Sequence, residues 1–306
     1  MEFVHKSVLL NEAVESLSIR PNGIYVDGTV GGAGHAVEIA KRLKDGKLYA
    51  FDRDPEAVET ATKRLKNYNA EVIESNFDNM REALRERGVF SVDGVLLDLG
   101  VSSYQLDNAS RGFSYRQDAP LDMRMGKEGI TAADIVNTYS QTELIRVFRD
   151  YGEERFSKSI ADRIIAERAR EPIENTIRLA DIIASAVPSS VRREGNPARK
   201  CFQALRIEVN GELTSLNKVL DIAFDLLNSG GVLSVITFHS LEDRAVKVKF
   251  KEFCTGCTCP PDFPVCVCGK KPKGELVNRK PILPSESEIK ENLRSRSAKL
   301  RAVKKI

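Results

Sequence analysis

Nowhere in its 306 residues does this chain carry an apolar run approaching the ~20 residues that a membrane span requires. Its opening residues, Met1-Glu2-Phe3-Val4-His5-Lys6, lack the apolar centre of a secretory signal. A membrane protein and an exported one are thereby set aside, and a cytoplasmic location is expected. There is no internal repeat and no long low-complexity stretch. The net charge of +3 is too small to argue by itself for a nucleic-acid partner. What the chain does have is apolar content: 42% of its residues are hydrophobic, enough at this length to bury the core of one large domain or two ordinary ones.

The densest signal lies early. Tyr25-Val26-Asp27-Gly28-Thr29-Val30-Gly31-Gly32-Ala33-Gly34-His35-Ala36 reads as a short apolar strand that ends in an acid, passes through four glycines and opens a helix. The next strand, Leu48 to Asp52, ends in a second acid. Glycines let the backbone approach a ligand where a Cβ would clash, and the amides that open a helix suit a carboxylate or a phosphate. Asp52 is placed to accept hydrogen bonds from both hydroxyls of a ribose. The dinucleotide fingerprint asks for a third glycine, but Gly32-x-Gly34 is followed by His35, Ala36 and Val37, which disfavours NAD and FAD. A D-G-T-x-G-G-x-G loop with a downstream strand-end acid resembles the first motif of class I S-adenosylmethionine (SAM) methyltransferases. A glycine-rich turn in an ordinary α/β domain is the alternative that a loop motif leaves open.

Apolar runs bounded by turn residues predict strands over 24–27, 48–52, 71–74, 94–98 and, much later, 232–237. Helical patterns over 36–43 and 55–65 lie between the early strands, so right-handed βαβ crossovers and one half of a doubly wound parallel sheet are expected. About 130 residues separate Asp98 from Val232, where a crossover needs a few tens. The stretch between reads as helices over 132–139, 141–150, 153–170 and 176–186, broken at Pro172 and Pro188. The expectation is a discontinuous sheet domain, 1–106 and 207–306, into which a helical domain, 107–206, is inserted. Residues 207–227 would form the helix before the fifth strand, and a basic tail would begin near 270.

In an open α/β sheet the ligand lies outside the carboxyl ends of the strands. Asp27, Asp52, Asp98 and Phe238-His239 stand on that edge. Where amino-methyltransferases carry a D-P-P-Y-type segment, this chain has Asp98-Leu99-Gly100-Val101-Ser102-Ser103 followed by Tyr104-Gln105.

Further motifs narrow the resemblance. His5-Lys6-Ser7-Val8-Leu9-Leu10-Asn11-Glu12, the glycine loop with His35, Leu97-Asp98-Leu99-Gly100-Val101-Ser102-Ser103, Arg111-Gly112-Phe113-Ser114, Pro120-Leu121-Asp122-Met123-Arg124-Met125, Tyr151-Gly152-Glu153-Glu154, Phe202-Gln203-Ala204-Leu205-Arg206-Ile207 and Phe238-His239-Ser240-Leu241-Glu242-Asp243-Arg244 occur in order along nearly the whole chain. Together they resemble the bacterial 16S ribosomal RNA cytosine-N4 methyltransferase family. All three histidines fall inside these motifs.

The resemblance implies methyl transfer from SAM to the exocyclic amine of a decoding-region cytidine in 16S rRNA of the small ribosomal subunit. It implies a class I domain with a helical insertion. It places Ala33, Gly34, His35, Asp52, Phe77, Asp98 and Gln105 around the cofactor. It carries no expectation of DNA or a membrane as partner. The mechanism follows from chemistry: a cytosine N4 lone pair is delocalised into the ring, so the amine reacts when hydrogen-bond acceptors hold its protons and the nitrogen is aligned with the sulfonium methyl. Asp98, Ser102 and Ser103 are the candidate acceptors, although Asp98 could instead hold the cofactor's ammonium.

Several residues carry two readings. His35 contacts the cofactor or only opens a helix; His239 faces substrate or fills a core position. Asp27 anchors the loop or touches the cofactor. Arg192, Arg193, Arg199, Lys200 and Arg206 bind RNA phosphates or solvate helix ends. From Lys270 onward twelve lysines and arginines stand against four glutamates, a tail that could neutralise phosphates or simply be solvated. Cys254, Cys257, Cys259, Cys266 and Cys268 surround a Pro-Pro-Asp-Phe-Pro loop and could hold an accessory structural zinc, while Cys201 reads as a core residue. Two other functions stay in view: a SAM-dependent methyltransferase of a small-molecule or protein amine, and a non-catalytic rRNA-binding assembly factor.

Overall fold

The structure is a computed structural model that describes residues 7–101, 106, 108–126, 128–257, 259, 265 and 268–306. It divides into two compact units, Met1–Gly100 with Leu213–Ile306, and Val101–Glu212.

The first unit is a seven-stranded sheet flanked by helices. Its strands are β1 (Ile24–Asp27), β2 (Lys47–Asp52), β3 (Ala70–Glu74), β4 (Val92–Asp98), β5 (Leu227–Thr237), β6 (Gly274–Leu276) and β7 (Lys299–Lys305), in the order β3-β2-β1-β4-β5-β7-β6. β1 to β5 run parallel, with Val26 opposite Tyr49 and Val95, and Leu97 opposite Val235. Alternation along these strands fills two cores. Val26, Phe51, Val95, Leu97 and Val235 pack on one face; Tyr25, Ala50, Leu96 and Ile236 pack on the other. That two-sided burial is why the parallel strands read as continuous apolar runs rather than alternating ones.

Helices α1 (Leu10–Ser16), α2 (Gly34–Ala40) and α3 (Pro55–Leu65) cover one face, and α4 (Met80–Arg85) covers the other. α3 starts where it does because Pro55 suits a first turn and Asp54 accepts the Glu56 amide at 3.1 Å. α1 has no counterpart among the expected elements.

The second unit has its own core, built on Leu121, Ile135, Leu144, Phe148, Ile164, Leu179, Phe202 and Leu205. Its helices are α5 (Ala132–Thr138), α6 (Gln141–Arg146), α7 (Ser157–Arg168), α8 (Thr176–Ser185), α9 (Ser189–Glu194) and α10 (Ala198–Asn210). Thr131 with Asp134, and Ser140 with Glu143, form reciprocal capping boxes that fix the starts of α5 and α6. The expected helix over 153–170 begins late, at Ser157. Glu153 sits at φ 47°, and Glu154 turns back to accept the Phe156 amide at 2.9 Å.

Two expectations are corrected. The single helix over 207–227 is two helices: α10 ends where Gly211 takes φ 58°, and α11 (Glu212–Leu226) leads into β5. The basic C-terminal stretch is not a solvated tail throughout, because it adds an antiparallel strand beside the parallel ones. β7 pairs antiparallel with both β5 and β6. Asp243, on α12 (Ser240–Cys254), receives Arg301 at 2.7 Å and Lys299 at 3.0 Å. Burial opposes its charge, but these two cations outweigh that and hold the carboxyl below its ordinary range. A further helix, α13 (Glu286–Glu291), precedes β7. Among the described residues no helix is long and apolar enough to cross a membrane.

Candidate active site

The strand order reverses between β1 and β4, and such a switch point opens a crevice at the strands' carboxyl ends. The loop after β1 is strapped across neighbouring strand ends. Gly28 donates its amide to Leu96 O at 2.9 Å, Val30 to Phe51 O at 2.8 Å, and Gly31 to Asp52 Oδ2 at 2.9 Å. Thr29 Oγ1 accepts the Asp98 amide at 2.6 Å, which ties the loop to the end of β4. Two glycines here do different things. A Cβ on Gly34 would lie 1.9 Å from Ser7 Oγ, so this glycine admits the N-terminal segment. A Cβ on Gly32 would meet only Arg64 Nη1 at 3.8 Å, so the protein's own packing does not demand glycine there.

Three strand-end acids meet this loop. Asp27 is 1% exposed and accepts the Thr29 amide at 3.1 Å; burial, with the charge of Asp52, pushes its carboxyl up to about 7. Asp52 is also raised, chiefly by burial, and its oxygens accept the amides of Asp54 and Gly31, each at 2.9 Å. A carboxylate oxygen has two lone pairs, so both retain acceptor capacity. Asp98 is raised well above the carboxylate range, first by desolvation and then by the charges of Asp27 and Glu242. Its Oδ1 is buried with no hydrogen-bond partner among the described residues, while the side chain as a whole keeps 22% exposure. An acidic cluster held out of water in this way favours a cation.

The histidines are structural as well as local to the site. His35, 5% exposed, donates Nε2–H to Val8 O at 3.0 Å, which leaves Nδ1 facing Asp98 Oδ2 at 3.5 Å. That assignment of the proton follows from the carbonyl, which can only accept. His239 caps α12: its Nδ1 accepts the Glu242 amide at 3.4 Å, and Glu242 Oε2 accepts the amides of Phe238 and His239 at 2.8 and 3.2 Å. His239 Nε2 lies 3.1 Å from Glu242 Oε1, close enough for an ion pair but off-axis for a hydrogen bond.

Asp27 offers a direct test of this electrostatic reading. Its folded pKa near 7 exceeds the ordinary 3.8, so its contribution to stability is full below about pH 4 and is lost as the pH rises through 7. Asp27→Asn keeps an oxygen for the Thr29 amide and removes the charge. The ligand-free variant should gain on the order of 3 kcal/mol relative to wild type between pH 4 and 8. Denaturant melts across that range that ran parallel for the two proteins would contradict it.

A family model described as the MraW methylase family matches residues 2–306. The chain belongs to that family. Ribosomal RNA small subunit methyltransferase H of Lachnospira eligens is 54% identical over 311 residues, covering 100% of this chain and 99% of that protein. The protein of the same name in Clostridioides difficile is 53% identical over 311 residues, covering 100% of both. Among solved structures, an rRNA methylase from Streptococcus thermophilus covers 99% of this chain and 99% of that chain at 11% identity and a TM-score of 0.45.

The remaining candidate residues fall in several places. Ala33 is fully buried at φ 61°, and Phe77 opens a short 3-10 turn after β3, packed beside the core that holds Val26. Ser102, Ser103, Gln105 and Cys266 lie outside the described residues. Arg192 and Arg193 are exposed on α9, and Arg199 and Lys200 on the first turn of α10, where Lys200 Nζ donates to Glu153 O at 3.1 Å. Arg206 departs from the phosphate-contact expectation. It makes a two-pronged pair with Glu212, 2.8 Å on each arm, with only 14% of its side chain exposed. Cys201 is a core residue whose thiol burial pushes far upward. Of the cysteine group, Cys254 stands apart from the described cluster of Cys257, Cys259 and Cys268.

Sequence reasoning missed Thr29 and Glu242. The signal for Glu242 was present: a cap residue followed three positions later by glutamate is the capping-box pattern, and His239-Ser240-Leu241-Glu242 carries it with histidine as the cap.

Proposed function

We propose that this chain transfers a methyl group from SAM to the N4 amine of a cytidine in the decoding region of 16S rRNA. The observation that carries the reading is the acidic pair of buried Asp27 and half-buried Asp98, whose Oδ1 has no hydrogen-bond partner among the described residues, beside the strapped glycine loop at the sheet's switch point. SAM is a cation at both its ammonium and its sulfonium, and these residues fit such a group. When bound, it supplies an electrophilic methyl.

The chain's own residues do the rest. Asp52 accepts the ribose hydroxyls, the Ala33-Gly34-His35 backbone lines the loop, and Phe77 presents an apolar ring to the adenine. Asp98 and Gln105 hold the methionine end. Asp98, Ser102 and Ser103 accept the protons of the target amine, so that its lone pair localises on nitrogen. Alignment of that nitrogen supplies most of the acceleration and no strong base is needed. The second unit, Val101–Glu212, serves substrate recognition, with Arg192, Arg193, Arg199 and Lys200 on RNA phosphates. The reaction belongs in the cytoplasm, where the small subunit is found. The names of the relatives support this substrate: both are ribosomal RNA small subunit methyltransferases.

The test incubates the purified protein with isotopically labelled SAM and small ribosomal subunits that lack rRNA methylation, with naked rRNA alongside. Nuclease digestion and mass spectrometry then locate the label. The expected product is a single N4-methylcytidine. Binding of SAM without labelling of either RNA would overturn the substrate assignment.

A further inference from the structure

The cysteine-rich segment has no part in the reaction above. Between α12, ending at Cys254, and β6, beginning at Gly274, the described residues form no regular element. The segment is closed at its neck, where Lys273 donates its amide to Phe253 O at 2.8 Å and Gly256 lies against Pro272. Beyond the neck its described residues bury little: Cys257 and Cys268 are exposed, as are Lys270 and Lys271, and Val265 is 70% exposed. None of the described residues between Cys254 and Gly274 is buried, so hydrophobic burial by these residues does not order this stretch.

Its thiols provide the means. The sulfurs of Cys257, Cys259 and Cys268 all lie within 4.8 Å of one another, although in sequence Cys268 is separated from the other two by the Pro-Pro-Asp-Phe-Pro segment. Cys257 Sγ and Cys268 Sγ are 3.8 Å apart. Sulfurs bound at about 2.3 Å to a tetrahedral zinc ion are separated by about 3.8 Å, whereas a disulfide needs about 2.05 Å. The Cys259 amide points at Cys257 Sγ at 3.4 Å, a donor placed to stabilise negative sulfur. The cluster contains no carboxylate, and an all-sulfur donor set selects a soft, tetrahedral divalent ion.

We infer that Cys257, Cys259 and Cys268 supply three thiolate ligands to one structural zinc ion, which ties the chain at Cys257 and Cys259 to the chain at Cys268. Binding releases the thiol protons to solvent and involves no redox step. The site fixes the loop by the same logic that lets metal binding supply folding free energy in small metal-bound modules. This inference is independent of the proposed reaction.

The experiment uses the full chain, purified under reducing conditions, stripped of metal and titrated with Co2+ and then Zn2+. Stoichiometric Co2+ binding is expected, with visible d–d bands of a tetrahedral thiolate site that one equivalent of Zn2+ bleaches. Cys257→Ser and Cys268→Ser should lose the bands, and Cys201→Ala should keep them. A variant-free readout runs in parallel: alkylation of wild-type protein, mapped by mass spectrometry, should be slowed at Cys257, Cys259 and Cys268 by Zn2+ and restored by a chelator. Absence of stoichiometric binding, alkylation rates that ignore zinc, or a native Cys257–Cys268 disulfide would each overturn the site.

Discussion

Asp98→Asn is expected to leave the fold intact while reducing methyl transfer by roughly 10²–10³-fold, the scale seen when one preorganised polar group is lost from a reacting centre. The backbone of residue 98 keeps its bond to Thr29 Oγ1, because the amide rather than the side chain makes it. What changes is charge. Asp98 has a buried Oδ1 and faces Asp27 and Glu242, and desolvation first and then these two charges push its carboxyl upward. Such a group is costly in the empty protein and favourable only beside a cation, so the variant should also lose roughly 10–100-fold in SAM affinity, the loss of a charge-assisted bond. Calorimetry with SAM and single-turnover transfer to small subunits check both numbers. Affinity and rate within threefold of wild type would remove Asp98 from the site. A melting temperature no lower than that of wild type shows that the loss is not one of folding.

The part of this site visible in the sequence was its skeleton. Each central strand is buried on both faces, so Tyr25-Val26-Asp27 and Leu96-Leu97-Asp98 stand out as apolar runs ending in acids, and the glycines between them need only local reading. What was not visible depends on neighbours distant in sequence. The upward shift of Asp98 comes first from desolvation by the surrounding fold and then from the charges of Asp27 and Glu242, none of which a local window contains. Arg206 reads as an available cation until Gly211 ends α10 and Glu212 comes round to it. Apolar periodicity ran on through Gly211 because both helices bury a face, and the Asn210-Gly211 stop signal lost to that periodicity.

The C-terminal strand was obscured for the same reason, and deleting it should have the largest effect on stability. Lys299-Leu300-Arg301-Ala302-Val303-Lys304-Lys305 looks like a solvated basic tail, because its charges are answered by residues elsewhere in the chain. Lys299 and Arg301 reach Asp243, Lys304 reaches Glu275, and Lys305 Nζ donates to Asp225 O. Beneath them Leu300, Ala302 and Val303 are at most 1% exposed. Burying the leucine and the valine contributes ~1.5–3 kcal/mol each. Removing the strand also uncovers the length of β5 from Val232 to Thr237 and leaves Asp243 unpaired. The combined loss, at least ~5 kcal/mol, matches the whole ~5–15 kcal/mol by which a domain is stable. A chain truncated after Ala298 should therefore fail to fold cooperatively and should not bind SAM, because β5 leads directly into Phe238 and the Glu242 capping box. A tail that only neutralised phosphates would behave differently. Its removal would leave melting and SAM affinity unchanged and flatten only the salt dependence of RNA binding. Arg301→Met, which keeps the strand and removes one charge, should fold and separate loss of pairing from loss of the strand itself.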